Sequence, residues 1–332
     1  MKHKNIAIFI PHAGCPYQCA FCNQHVITAQ EKLPHAEDVK QICTKAISEI
    51  KEISNTEIAF FGGSFTAIPR DYMIELLESA QEFIGDGKCS GIRISTRPDC
   101  ISREILDILK KYHVTAVELG AQSMSNRVLK ANRRGHTAED VRKASGLIQK
   151  YGFELGLQVM IGLYRSTWSD ELETGWQVRD LHPDTVRIYP VVILKGTKLA
   201  EYYQAGYYPL FPFDEVTAFV SQQMEAYHEA DIRVIKCGLH ASEFVEKDMI
   251  AGYYHPAFRE LCESHIYLLK INSLIVQALD NQLNPPEVLA VRPDCISKAV
   301  GQKKANIHYI QEHYGIDLKI IGDANLELYQ VK

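Results

Sequence analysis

Between residue 5 and about residue 190, short β-branched runs alternate with longer amphipathic segments, the pattern of βα units stacked around a parallel sheet. Six strands are read, at 5–10, 56–61, 91–96, 116–119, 154–161 and 185–189. Helical periodicity fills the gaps at 36–53, 71–83, 102–112, 138–151 and 169–180. Helix starts carry capping chemistry: Thr137 precedes Glu139 and Asp140, whose carboxylates favour the positive end of a helix dipole. The chain has 332 residues, 46% hydrophobic and 23% charged, which excludes disordered and low-complexity architectures. That length fits two domains or one α/β barrel with an appendage.

No stretch reaches the roughly 18 apolar residues of a membrane span, and the apolar run near the N-terminus is short for a signal peptide, so a cytoplasmic location is expected. With 36 Lys and Arg against 41 Asp and Glu, the net charge of −5 offers no overall attraction for nucleic acid. Any such contact needs a local patch. Nine cysteines, an odd number without an export signal, argue against a disulfide framework. Cys43, Cys89, Cys100, Cys237, Cys262 and Cys295 are scattered, whereas Cys15, Cys19 and Cys22 fall within eight residues.

In parallel α/β folds, functional residues sit on loops after the C-terminal ends of the strands. Here the loop after the first strand carries Cys15-Pro-Tyr-Gln-Cys19-Ala-Phe-Cys22, a CX3CX2C spacing. Three closely spaced thiolates suit a soft metal centre. A structural zinc site or a ferredoxin-type cluster takes four protein ligands, and no fourth stands at a convincing spacing. Three thiolates on a [4Fe–4S] cluster leave one iron open for catalysis.

The triplet, with Phe21 before its last cysteine, resembles the cluster motif of radical S-adenosylmethionine (SAM) enzymes. The resemblance implies a [4Fe–4S] cluster on Cys15, Cys19 and Cys22, with SAM on the open iron, reductively cleaved to methionine and a 5′-deoxyadenosyl radical. It further implies an electron donor such as flavodoxin or ferredoxin. Gly62-Gly63 after the second strand resembles the segment that seats the methionine end of SAM, with Ser64 where an acidic residue is often found. Phe21, Ser95, Gln122, Arg134 and Gln158 fall at positions that hold SAM in relatives; Ser95 departs from the acidic residue usual there.

Five segments narrow the likeness: Gly62-Gly-Ser-Phe-Thr66, Ser95-Thr-Arg-Pro-Asp99, Val117-Glu-Leu-Gly-Ala-Gln-Ser123, Arg133-Arg-Gly-His-Thr137 and the run from Val186 to Thr197. Their succession resembles the catalytic subunit of Elongator, which modifies the tRNA wobble uridine. The likeness covers roughly residues 5–265, and 332 residues leave no room for that subunit's acetyltransferase domain. Its carboxymethylation chemistry therefore does not transfer. The fold expected is a partial (β/α)6 barrel over 5–190, closed by a Tyr-rich region at 191–265 within a radical SAM domain of residues 1–265.

A helix and linker at 266–284 precede a small α+β module at 285–332, opened by Pro285-Pro286. It reads strand 287–292, helix 296–300, Gly301-Gln-Lys-Lys304, helix 305–314 and strands 316–321 and 326–331. That order resembles a KH domain, whose glycine loop clamps nucleic-acid backbone. Lys304 replaces the second glycine, and Lys298, Lys303 and Lys304, joined by Arg292, would seek phosphate. The plainer reading is a structural cap or dimerisation element.

Cys237 and Cys262 are candidates for hydrogen-atom donation to a substrate radical or for a second metal, and Tyr189 and Tyr253 for a similar role, although a buried cysteine is more often inert. His12, His136, His240 and His255 have no assigned task. The function expected is a radical SAM transferase modifying a tRNA or rRNA base. Two alternatives stand: a radical SAM enzyme acting on a small molecule or protein, and a non-catalytic RNA-binding iron–sulfur sensor.

Overall fold

A computed structural model describes residues 4–11, 14–15, 17–23, 32–239 and 243–332, with Phe244 described through its backbone. His12 and His240 lie outside the described residues. All six expected strands form: β1 (Lys4–Ile10), β2 (Thr56–Gly62), β3 (Gly91–Thr96), β4 (Val114–Gln122), β5 (Glu154–Ile161) and β6 (Thr185–Pro190). After the short β7 (Val192–Leu194), the strand β8 (Arg233–Cys237) joins the same sheet. The sheet order is β1-β2-β3-β4-β5-β6-β8, every neighbouring pair parallel. It is a partial TIM-like barrel, and β8 is a seventh strand that the sequence pattern did not reveal. β9 (Met249–Gly252) pairs antiparallel with β7 in a small separate sheet.

The helices start where their caps dictate. Thr137 and Thr167 each close a capping box with an aspartate three residues on, and Ser102 accepts from the Ile105 N–H. The helix Ala36–Glu49 ends four residues before the periodicity does, because Ile50 turns extended. Aliphatic side chains of the sheet, such as Ile8, Ile58, Ile94 and Leu157, pack against these helices in one continuous core.

The other face of the sheet carries charge near the N-terminal ends of its strands. Arg93 on β3 bonds Glu57 (2.7 Å), Glu118 (3.3 Å) and Glu154 (2.8 Å), and Glu118 is held at 2.6 and 2.9 Å by Arg187 on β6. Arg93 is 2% exposed, so only this many-sided pairing offsets the cost of burying its charge.

The helix Phe258–Asp280 links the barrel to the C-terminal residues. Cys262, Ile266 and Tyr267 join the barrel core, whereas Ile271 and Ile275 pack with Leu289, Ile310, Ile316 and Leu318 in a second cluster. There β10 (Val288–Val291) and β11 (Lys319–Gly322) pair in parallel around the helices Ile296–Val300 and Ala305–Tyr314. The strand expected at 326–331 does not form. Tyr329 instead takes φ +61°, donates its N–H to the Tyr267 hydroxyl at 3.1 Å and packs on the Tyr267 and His228 rings. Burying that ring turns the segment, leaving a single bridge from Val331 to Val291. Among the described residues, no helix is long and apolar enough to cross a membrane.

Candidate functional site

The C-terminal ends of the strands open into a cavity of about 770 Å³. Its walls include Cys15, Cys19, Cys22 and Phe21 from the loop after β1, Gly62 and Gly63 at the end of β2, and Ser95 from β3. Gln122 from β4, Arg134, Gln158 from β5 and Tyr189 from β6 complete the residues singled out by sequence. Strand parity explains part of this convergence: residues two apart face one side, so Ser95 follows Arg93 and Gly120 follows Glu118 onto the charged face, whereas Gln122 reaches the cavity past a register break in β4.

The cysteine loop is tied down from two sides. Ala20 donates its N–H to the Asn132 carbonyl (3.1 Å) and accepts from Leu199 (2.8 Å). Gly62, at φ +115°, lets β2 pass the end of β1: a Cβ there would stand 2.7 Å from the Ile10 carbonyl oxygen. The same carbonyl accepts from the Gly63 N–H at 2.8 Å.

Cys19 is buried, Cys22 half-buried and Cys15 exposed. Burial, reinforced by the neighbouring Cys19 and Cys15, pushes the Cys22 thiol up to about 12, and burial with Cys19 also raises Cys15. Soft cations bound to such a set would relieve this mutual repulsion. Among the described residues, no three His, Cys, Asp or Glu side chains already converge at metal-holding geometry. The donor set nevertheless fits a thiolate-bound centre: Arg134 donates Nη1 to the Cys19 sulfur at 3.1 Å, while its Nε is buried without a partner.

Around this corner the polar groups are pre-set. Arg134 Nη2 holds the Gly120 carbonyl at 2.6 Å, and Gln122 ends β4 at φ +65° beside a register break. Backbone strain of this kind persists where the surroundings over-determine it. Gln158 spends its Nε2 on Ser95 (2.9 Å) and Glu118 (2.8 Å), which turns its carbonyl oxygen into the free acceptor. Ser64 bonds Thr96 at 2.9 Å in the rim beneath the cavity.

Arg97 was not among the sequence candidates, although it directly follows the end of β3. It pairs with Asp99, donates to the Arg134 carbonyl at 2.6 Å, lies 5.2 Å from the Tyr17 ring centre and keeps Nη1 buried and unpartnered. Tyr17 and Arg97 thus form part of the cavity wall beside the cysteines.

Other candidates lie elsewhere. Cys237 and Cys262 are buried in the core, outside the cavity lining, where burial and the adjacent Cys237 raise the Cys262 thiol. Tyr253 accepts from the Phe211 N–H at 2.8 Å. His136 touches the Ala121 carbonyl and is depressed to about 4, chiefly by burial; His255 accepts from the Ala257 N–H. In the C-terminal region Lys298 is engaged by Glu263 at 2.7 Å, whereas Lys303 and Lys304 are exposed.

Comparison with known proteins gives the arrangement its family. The profile of the Radical SAM superfamily matches residues 9–174, and that of the Radical_SAM C-terminal domain matches residues 183–267. An uncharacterized protein of Methanocaldococcus jannaschii is 30% identical over 228 residues, covering 68% of this chain and 67% of its own. The tRNA uridine(34) acetyltransferase of Methanocaldococcus infernus is 25% identical over 256 residues, 65% of this chain but 48% of that protein. This chain therefore spans about half the length of that acetyltransferase. The solved structure of Methanocaldococcus infernus Elp3 superposes with a TM-score of 0.56 at 20% identity, over 74% of this chain and 61% of that one. Elp3-like relatives accord with the resemblance to the Elongator catalytic subunit, and with half of its residues matched by the superfamily profile, the protein belongs to the radical SAM superfamily.

Proposed function

We propose that this radical SAM enzyme modifies an RNA base, with tRNA as the first candidate. Members of the superfamily use a [4Fe–4S] cluster and SAM and need an electron donor, for which flavodoxin or ferredoxin is suited. When bound and reduced, a [4Fe–4S] cluster would supply the one-electron chemistry that SAM cleavage needs; such chemistry belongs to the cofactor, and the protein supplies position and exclusion. In this reading Cys15, Cys19 and Cys22 hold three irons, and Arg134 steadies the Cys19 thiolate. Gly62 and Gly63 would admit the methionine end, and Phe21 would line the SAM side of the cavity. Gln122, Ser95 and the free carbonyl oxygen of Gln158 orient what remains.

The observation that carries the reading is the convergence of three cysteines and seven SAM-type positions from five strand ends on one cavity. The RNA part is supported by likeness to tRNA uridine acetyltransferases and Elongator proteins. A second support is the exposed Lys303-Lys304 loop, where residues 285–332 would dock the RNA backbone. Nucleoside mass spectrometry of RNA from a deletion strain tests it. Loss of one modified nucleoside, restored by wild type and not by Cys22→Ala, is expected. An unchanged profile would overturn the RNA substrate and leave a small molecule or protein in its place.

A further inference from the structure

Four cations, Arg97, Arg134, Arg187 and Lys236, line the cavity, and no carboxylate does so among the described residues. Three of the four have partners: Arg97 has Asp99, Arg134 has the Cys19 sulfur and the Gly120 carbonyl, and Arg187 is held by both oxygens of Glu118. Lys236 has no hydrogen-bonding or ion-pair acceptor among the described residues. It is half-buried, and its ammonium is pushed down, first by burial and then by the charge of Arg187.

The register makes this arrangement costly on its own. Gln158, Arg187 and Lys236 are direct neighbours across β5, β6 and β8, so two cations stand side by side on one face. Adjacent strands lie about 4.8 Å apart, and like charges at that spacing destabilise a sheet. An anion with two oxygens, placed between the two side chains, would turn the repulsion into a pair of charge-assisted hydrogen bonds. β8 is also the edge strand opposite β1, so the pair stands at the far end of the sheet from the strand that leads into the cysteine loop.

We infer that Lys236 and Arg187 form an anion subsite at the far wall of the cavity, which takes a carboxylate or phosphate group of the molecule to be modified or of its co-substrate. The inference rests on the reading of the cavity as the reaction site, and it adds a chemical requirement to the substrate. A neutral molecule would leave Lys236 uncompensated.

The test uses reconstituted, SAM-loaded protein under anaerobic conditions, with acetate and inorganic phosphate as probes and sodium chloride at equal ionic strength as control. Acylation of Lys236 by an amine reagent is followed by peptide mass spectrometry. Protection of about tenfold by either probe over chloride is expected. Protection by phosphate alone assigns the subsite to a phosphorylated group, and protection by acetate assigns it to a carboxylate. Calorimetry adds the variants: Lys236→Gln weakens binding of the protecting anion about tenfold, and Lys236→Arg restores it. Protection no better than with chloride overturns the inference, as does full protection by SAM alone with no effect of either anion. Failure of the underlying reading shows separately, as wild-type protein that does not cleave SAM.

Discussion

Arg134 donates Nη1 to the Cys19 sulfur at 3.1 Å and Nη2 to the Gly120 carbonyl at 2.6 Å, so one guanidinium joins the cysteine loop to the end of β4. Arg134→Ala removes both contacts. 5′-Deoxyadenosine formation is expected to fall by about 100-fold, the usual effect of removing one preorganised donor from an active site. Arg134→Lys recovers little, because an ammonium cannot reproduce the two-pronged geometry. Iron content per chain, measured alongside, separates a lost cluster from a misplaced one.

Gly62 offers a stability test with a built-in contrast. The Cβ of Gly62→Ala would press on the Ile10 backbone at 2.7 Å, at a φ of +115° that L residues avoid, so a loss of about 2 kcal/mol is expected in urea titration. Because β1 leads into the cysteine loop, iron uptake falls too. Gly146 lies inside the helix Ala138–Lys150 with nothing within 4 Å, and Gly146→Ala gains about 0.5–1 kcal/mol. A neutral Gly62→Ala would contradict the packing described.

Glu171 gives the fold a pH dependence. Its carboxylate accepts from the Gly162 N–H at 2.8 Å, but burial dominates and raises it from 4.5 to about 7. A folded value above the unfolded one means that folding takes up a proton. The associated stability is complete below pH 4.5, declines as pH rises from 4.5 to 7, and is gone above. The decline amounts to about 3 kcal/mol, and Glu171→Gln, which keeps an acceptor for Gly162, removes it from the stability–pH profile.

Lys303 and Lys304 both adopt left-handed backbone, at φ +51° and +62°. Each non-glycine residue held there costs about 1 kcal/mol. Lys304→Gly is expected to stabilise the protein slightly and to weaken RNA binding. Lys303→Glu with Lys304→Glu weakens it sharply, and loss of two phosphate contacts is read in salt titration as a slope shallower by about 1.4 for single-stranded RNA. Binding unchanged in the double variant would contradict the docking role.

Much of this architecture could be read in advance. β1 alternates exposed and buried residues and the other five barrel strands are mostly buried, with Ile, Val or Leu recurring on the helix-facing side, a period-two pattern that separates them from the amphipathic helices. The cavity residues were found because strand ends converge in such folds. β8 escaped notice because Arg233 and Lys236 interrupt a five-residue strand whose partner, β6, lies more than forty residues earlier. The strand expected at 326–331 was lost to the burial of Tyr329, a tertiary contact with a helix some sixty residues away. Lys298 looked like a phosphate ligand until Glu263 was found beside it. The ion pairs of Arg93 and Arg187 join residues distant in sequence, so neither the charged face nor the uncompensated Lys236 has a local signature.

The central claim is that Cys15, Cys19 and Cys22 hold a cluster that cleaves SAM. Its most direct test is anaerobic reconstitution with iron and sulfide, reduction by dithionite or flavodoxin, and chromatographic measurement of 5′-deoxyadenosine from added SAM. Wild-type protein is expected to release it and the Cys22→Ala variant to give only background. Equal release from the two, or none from a wild-type protein carrying four irons per chain, the number in a [4Fe–4S] cluster, would contradict the account.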